Sequence, residues 1–306
     1  MSTARVLSVV ICTRDRPSEL ERCIESLAHG RPGSRQAWEV IIVDDGRSRP
    51  VAQEPLRGAL GAAGVALHVV RPSAPGLFAA RLTGLERASG TIVLFLDDDV
   101  TVASDYLARL LALYEQHPEV VGVGGVDQLD PARSMVITLA HRLFLFDSGS
   151  PGRLSYTGFN GSLRRWVGER SPFESEYLHG CNMSFRTSAL ADIGRPEWLL
   201  RSSQADDIFF SYVAAKHGHL LVSPALRVWH HRSPQSASRP DTTDAARADI
   251  VNIFQLLRLR RASLLQVAAF FWTAGWFVLK DVARPSRSHL VSGYVKGVFA
   301  ALRAIP

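Results

Sequence analysis

The sequence predicts an α/β fold of Rossmann-like type: a mostly parallel central sheet flanked by helices, with a helical appendage at the C-terminus. Two observations predict the sheet. Short apolar runs rich in β-branched residues alternate with stretches of helical apolar spacing up to Val126, the pattern of βαβ units. Acidic clusters, Asp44-Asp45 and Asp97-Asp98-Asp99, follow two of those runs. In open parallel sheets ligands bind outside the carboxyl ends of the strands. The appendage is predicted by three helical patterns beyond residue 241.

Val6–Cys12 is a continuous apolar run and reads as a buried parallel strand. Thr13 to Pro17 breaks it. Ser18–Ala28 carries Leu20, Cys23, Ile24 and Leu27 at helical spacing, with Ser18 as N-cap. Glu39–Val43 and Ala66–Val70 are the next strands, and Gly76–Ser89 is a helix opened by glycine. Thr91–Leu96 is a fourth strand, Ser104–His117 a helix and Val120–Val126 a fifth strand. From Met135 to Tyr177 Gly, Ser, Pro and Arg are frequent, which predicts loops and short strands. Leu178–Leu190 and Ile208–His217 read as helix-like or mixed, and Leu220–Val228 as a last strand. Ser233–Thr243 reads as a linker, followed by helices over Ala245–Arg261, Ser263–Val282 and Leu290–Ala304.

Of 306 residues 46% are hydrophobic and 21% charged, enough apolar surface for a full core. The net charge of +6 favours anionic partners. The cations cluster beside apolar helices, at Arg258, Arg260, Arg261 and from Arg284 to Arg303, and no recognition motif is present, which argues against nucleic acid. Cys12, Cys23 and Cys181 form neither a disulfide framework nor a zinc pattern. A reducing cytoplasm is therefore expected, and the N-terminal run lacks the cleavage site of a signal peptide.

Three consecutive carboxylates repel one another and resist burial. At a strand end they call for a cation, and Mg²⁺ or Mn²⁺ is bound by one or two carboxylates together with substrate phosphates. The alternative is a solvated turn. Asp44-Asp45-Gly46 is good turn chemistry too, or a site for a base imide or ribose hydroxyl.

The segments SVVICTRDRPSELERCIESL, EVIIVDDGRS and GLFAARLTGLERASGTIVLFLDDDV resemble the family 2 glycosyltransferases of the A-type fold. That family's pattern runs strand-Thr-x-x-x-Arg/Pro, strand-Asp-Asp-Gly-Ser, Gly-x-x-x-Ala-Arg-Asn, strand-Asp-x-Asp, and matches in order from residue 6 to about 103. The resemblance implies an inverting, metal-dependent enzyme moving a hexosyl or deoxyhexosyl group from a nucleotide-diphosphate donor to an acceptor hydroxyl. It implies Thr13, Asp44 and Asp45 at the base and ribose, Arg81 near the nucleotide, and Asp97 at the ribose or metal. Asp99 becomes the metal ligand, and Arg16 and Asp98 join the nucleotide-binding set. Thr83 departs from the common asparagine and Arg47 from the common serine or glycine, which bears on base or sugar identity. Residues 1–240 would be the catalytic domain, with 1–103 the nucleotide half and 104–240 the acceptor half, and 241–306 a helical region.

The same resemblance extends to the second half. A base must take the acceptor's proton. Asp206-Asp207 precedes an apolar helix, where the helix dipole stabilises a carboxylate and where an ordinary acidic cap would also sit. The family carries such a pair as the base, which implies Asp207, with Asp206 as alternate. His179–Arg186 resembles the segment lining the donor-sugar and acceptor side, which implies Asn182 and Arg186. Trp229-His230-His231 lies where many members place a further metal ligand. Adjacent strand residues face opposite ways, so one histidine at most reaches the metal; His231 is the choice and His230 the alternative. Trp166 and Trp198 could stack on sugars or fill the core.

Leu264–Leu279 is a sixteen-residue run without charge, flanked by cations. It falls short of the roughly 20 residues that span a bilayer and suits an interfacial helix, buried packing being the alternative. A lipid-linked acceptor and peripheral contact through 258–304, at the inner face of the cell membrane, would follow. A nucleotidyltransferase is disfavoured by the glycine-free loop Thr13–Pro17, and a non-catalytic sugar-nucleotide-binding scaffold by the persistence of both acidic clusters.

Overall fold

The structure, a computed structural model, describes residues 6–30, 37–47, 51–61, 65–130, 135–199, 205–232, 242–282 and 285–304. The chain forms two compact units. One comprises Met1–Asp130, Val167–Gly194 and Phe210–Arg232, the other Pro131–Trp166, Arg195–Phe209 and Ser233–Pro306.

The first unit holds the whole sheet. Its strands are β1 (Leu7–Thr13), β2 (Trp38–Asp44), β3 (Ala66–Val70), β4 (Ile92–Asp97), β5 (Val100–Val102), β6 (Val120–Asp127), β7 (Phe173–Ser175), β8 (Asn182–Arg186) and β9 (His219–His230). They are ordered β3-β2-β1-β4-β8-β6-β9-β5, with β7 beside β9. β1, β2, β3 and β4 pair in parallel, and β6 pairs in parallel with β9. β8 runs antiparallel between β4 and β6. The carboxyl ends of β1, β2, β4, β6 and β9 therefore share one edge, where β8 begins.

The continuous apolar runs arise because β1 and β2 are covered on both faces. On one face Leu7, Val9 and Ile11 pack with Leu20, Cys23, Ile24 and Leu27 of α1 (Pro17–His29). On the other, α3 (Leu77–Arg87) approaches so closely that a Cβ at Gly84 would overlap Val10 Cγ1. Phe78, Phe95, Phe185 and Phe210 form an aromatic cluster on this unit's core. α2 (Gln53–Gly61) and the three-residue β5 were not expected; both are too short for a clear periodicity. α4 (Tyr106–Gln116) follows the predicted helix. β8 replaces the helix-like reading of 178–190: four of its five residues are buried, so no alternation marks it as a strand.

The second unit is helical: α5 (Met135–Leu143), α7 (Thr243–Leu259), α8 (Leu264–Val282) and α9 (Ser288–Arg303), with α6 (Asp206–Ala214) beginning in it. α5 lies where loops were expected. Its apolar residues Val136, Leu139, Ala140 and Leu143 have helical spacing, but none is buried, and the nine-residue helix adjoins a stretch rich in glycine and serine. Residues 233–241 of the expected linker, and Arg284, lie outside the described residues. Thr242 caps α7, its Oγ1 accepting from Ala245 N at 3.2 Å. Phe146, Phe159, Phe254, Phe270, Phe277 and Tyr294 pack ring against ring. Trp166 is fully buried, which makes it a core residue rather than a sugar platform. Among the described residues no helix is long and apolar enough to cross a membrane.

Candidate active site

At the shared edge the acidic triplet splits by direction. Asp98 turns inward, where Thr13 Oγ1 donates to its Oδ2 (2.7 Å) and Arg16 Nη1 to its Oδ1 (3.0 Å). Burial pushes the Asp98 carboxyl up to about 6, against the pull of Thr13 and Arg16 and with the charges of Asp99 and Asp97 adding to the rise. Thr13, Arg16 and Asp98 thus form one network that ties the β1 loop to the end of β4.

Asp97 and Asp99 converge instead on His230. Its Nε2 lies 3.0 Å from Asp99 Oδ1 and 4.0 Å from Asp97 Oδ2. Burial would raise the Asp99 carboxyl, but His230 and Arg16 outweigh it and hold the group low. Burial would lower the His230 imidazole, but its contact with Asp99 and the charge of Asp97 raise it. Asp99 Oδ1 is nevertheless a buried oxygen with no hydrogen bond of acceptable geometry, short as the His230 contact is. One ligand atom from each of Asp97, Asp99 and His230 falls within 4.8 Å of the others. Two carboxylates and an imidazole, one oxygen unsatisfied, fit a divalent cation that keeps further positions for phosphate oxygens.

His231 does not reach this cluster. Strand alternation sends its ring the other way, where Nε2 lies 2.9 Å from Thr101 Oγ1. The histidine at the carboxylates is His230, the alternative rather than the choice. A group that sequence reasoning missed holds it. Asp127, buried at the end of β6, accepts from His230 N (3.1 Å) through Oδ1, and its Oδ2 pairs with Arg232 (3.1 Å). An acid ending an apolar strand, the signal already used for β2 and β4, would have found it.

The other expected residues divide as follows. Arg81, buried on α3, donates to Asp97 Oδ1 (3.2 Å) and Gly180 O (2.7 Å), so it positions β4 against the turn before β8. Asp45 Oδ2 accepts from Gly76 N (3.0 Å); Gly76 has φ 111°, a backbone that glycine adopts without strain. Asp44 is buried and accepts from Gly46 N (2.8 Å) within its own turn, with Arg71 alongside. Asn182 Oδ1 accepts from Gly125 N (2.6 Å) inside the sheet. Arg186 sits opposite Ile92, at the far end of β8 from the acidic edge, and donates to Val120 O and Tyr114 O (both 2.9 Å). It joins nothing at the site, because the antiparallel direction of β8 carries it away. In the second unit Asp206 is buried and Asp207 half-buried at the start of α6, where Asp206 Oδ1 accepts from Asp207 N (3.0 Å) and Asp207 Oδ1 from Ile208 N (2.8 Å).

A row of strand ends that carries two acidic clusters, with side chains able to hold a cation among them, is an arrangement that the A-type glycosyltransferase fold provides. Residues 8–193 match the family model described as glycosyl transferase family 2, and the chain belongs to that family. It is 28% identical over 235 residues to a pre-mycofactocin glycosyltransferase of Mycobacterium tuberculosis, covering 75% of this chain and 43% of that protein. It is 27% identical to the succinoglycan biosynthesis protein ExoM of Rhizobium meliloti, covering 74% of this chain and 66% of that one. The chain thus spans less than two thirds of the length of both relatives. Among solved structures, residues 1–349 of TarS from S. aureus superpose with a TM-score of 0.59 at 17% identity, covering 98% of this chain and 81% of that one. A mannosyltransferase from Pyrobaculum calidifontis in complex with GDP-Man and Mn²⁺ gives 0.59 at 16%, covering 98% and 88%. These likenesses establish the A-type fold.

Proposed function

We propose that the chain transfers a glycosyl group, with inversion, from a nucleoside diphosphate sugar to an acceptor hydroxyl in the synthesis of a cell-surface polysaccharide or glycolipid. The observation that carries this reading is the Asp97–Asp99–His230 cluster, with its unsatisfied buried oxygen, at the carboxyl ends of β4 and β9. These residues would hold Mn²⁺ or Mg²⁺, which supplies Lewis-acid stabilisation of the leaving diphosphate. Thr13, Arg16 and Asp98 brace the loop over the nucleotide, Asp44 and Asp45 shape the base end, and Arg81 fixes Asp97. Residues 1–103 form the nucleotide half and 104–240 the acceptor half. Asp207 takes the acceptor's proton as its oxygen bonds the anomeric carbon and the bond to the diphosphate breaks; Asp206 is the alternate. Calorimetric titration of uridine, thymidine and guanosine diphosphates, with and without Mn²⁺, tests this on wild type and Asp99→Ala. Metal-dependent binding of one diphosphate, lost in the variant, is expected. A folded protein that binds none would leave the scaffold reading in its place.

The acceptor we infer is lipid-linked, and the second unit meets the inner face of the membrane. A relative matching 38% of the chain at 26% identity is an undecaprenyl-phosphate 4-deoxy-4-formamido-L-arabinose transferase of Salmonella. Met135, Val136, Leu139 and Leu143 of α5 are exposed, as are Leu265, Trp272 and Leu279 at seven-residue spacing on α8. Trp272 joins the two helices, its Nε1 donating to Leu143 O (2.9 Å) and its ring stacking on Phe144. Arg142, Arg258, Arg260 and Arg261, all exposed, supply the charge that anionic head groups attract.

A further inference from the structure

Beside the acidic site lies a second, softer donor set. The turn leading into β8 carries His179 and Cys181 either side of Gly180, and one ligand atom from each falls within 4.8 Å of one from His230. His179 Nδ1 and Cys181 Sγ are 3.1 Å apart. Tetrahedral zinc, with bonds of about 2.0–2.3 Å, sets neighbouring nitrogen and sulfur ligands about 3.5 Å apart, so a small rearrangement closes the set. The turn is held in place before any ion arrives. Asn182 N bonds His179 O (3.0 Å), Asp97 N bonds Cys181 O (3.2 Å), and Arg81 holds Gly180 O. Asn182 Nδ2 donates to Cys181 Sγ (3.5 Å), a contact that favours a thiolate bound to a cation. His230 Nδ1 is buried and has no hydrogen-bond partner among the described residues.

We propose that His179, Cys181 and His230 form a binding site for a thiophilic divalent ion of the zinc class, which shares His230 with the acidic site. Two imidazoles and a thiolate select zinc or cobalt over the hard cations that carboxylates prefer. On binding, the Cys181 Sγ–H bond is lost, its proton leaves to solvent and sulfur bonds the ion. His230 serves both sets, Nε2 facing Asp99 while Nδ1 has no hydrogen-bond partner among the described residues; two cations on one imidazole repel and require loss of its last N–H proton, so a zinc-class ion and Mn²⁺ compete. Only this competition rests on the proposed transferase reading; the site itself stands on its three ligands.

Cobalt(II) is the probe. Titrated into the full chain, it is expected to give a thiolate-to-metal charge-transfer band in the near ultraviolet, saturating at about one equivalent, with visible bands of tetrahedral intensity. Cys181→Ser and Cys181→Ala, with folding checked by circular dichroism, should abolish the band. His179→Ala should weaken cobalt binding at least tenfold, and Asp99→Asn should leave the band in place. Zinc should displace cobalt and weaken Mn²⁺ binding, followed by electron paramagnetic resonance, at least tenfold. No charge-transfer band in wild type would overturn the site. So would a band that survives in both Cys181 variants, since it would then come from Cys12 or Cys23. A cobalt band without any effect on Mn²⁺ would keep the soft site and refute the sharing of His230.

Discussion

The two adjacent histidines give a sharp test, because one backbone step separates opposite fates. His230 faces Asp97 and Asp99 with 13% of its side chain exposed, while His231 turns to Thr101. Replacing even a residue that merely supports a metal ligand typically costs 10–100-fold in metal affinity. His230→Ala removes one of three protein donors outright, so Mn²⁺-dependent nucleotide binding should weaken by about 100-fold or more, about 2.7 kcal/mol. His231→Ala loses one hydrogen bond, worth roughly 0.5–1.5 kcal/mol of stability. Its Mn²⁺ affinity should stay within about twofold of wild type, because its ring faces Thr101 and not the carboxylates. Calorimetry with the nucleoside diphosphate that binds wild type, and electron paramagnetic resonance of free Mn²⁺, read both quantities. Should His231→Ala abolish metal-dependent binding while His230→Ala retains it, the assignment from strand geometry is refuted.

Three further outcomes are expected. Arg81→Ala breaks a buried cation away from Asp97 and Gly180 O; breaking a fully buried pair costs about 3–5 kcal/mol, and since Asp97 is 27% exposed a loss of roughly 2–3 kcal/mol in denaturant unfolding is expected, with weaker nucleotide binding. Gly84→Ala forces a methyl into Val10, where overpacking costs about 1–3 kcal/mol, and should lower the thermal midpoint. Asp207→Asn should leave donor binding intact and reduce turnover by at least about 100-fold, as loss of a general base does; unchanged turnover would move the role to Asp206.

The N-terminal part of the sheet was legible in the sequence because its signals are local. β1, β2 and β4 announce themselves as apolar runs, and each ends in a polar group at the edge where ligands collect: Thr13, Asp44 and Asp97. The rest was illegible for two physical reasons. β8 is buried on both faces and runs backwards, so its composition gives neither a period nor a direction. Asn182, placed by the resemblance beside the sugar, packs into the sheet, and Arg186 ends up at the wrong end. α5 has apolar residues at helical spacing, but it is nine residues long and adjoins a stretch dense in glycine and serine, whose composition masks so short a period.

The choice between His230 and His231 turned on a single register position. Sequence alone gives alternation but not its phase, because phase is fixed by pairing across the sheet. Here Val100 lies opposite His230 in the β5–β9 ladder, and His231 N bonds Asp99 O just beyond it. That ladder requires β5, three residues long and directly after the triplet. The same short strand therefore turns the chain back at Asp98-Asp99 and sets which histidine meets them. A substitution that weakened β5, such as Thr101→Pro, would remove a backbone donor from the ladder opposite Trp229. It should then impair metal binding although Thr101 offers no ligand to the cation. If Mn²⁺ affinity survived that change in a folded protein, the phase of the histidine pair would have to be set elsewhere, with the His230–Asp127 bond at the end of β6 the remaining anchor.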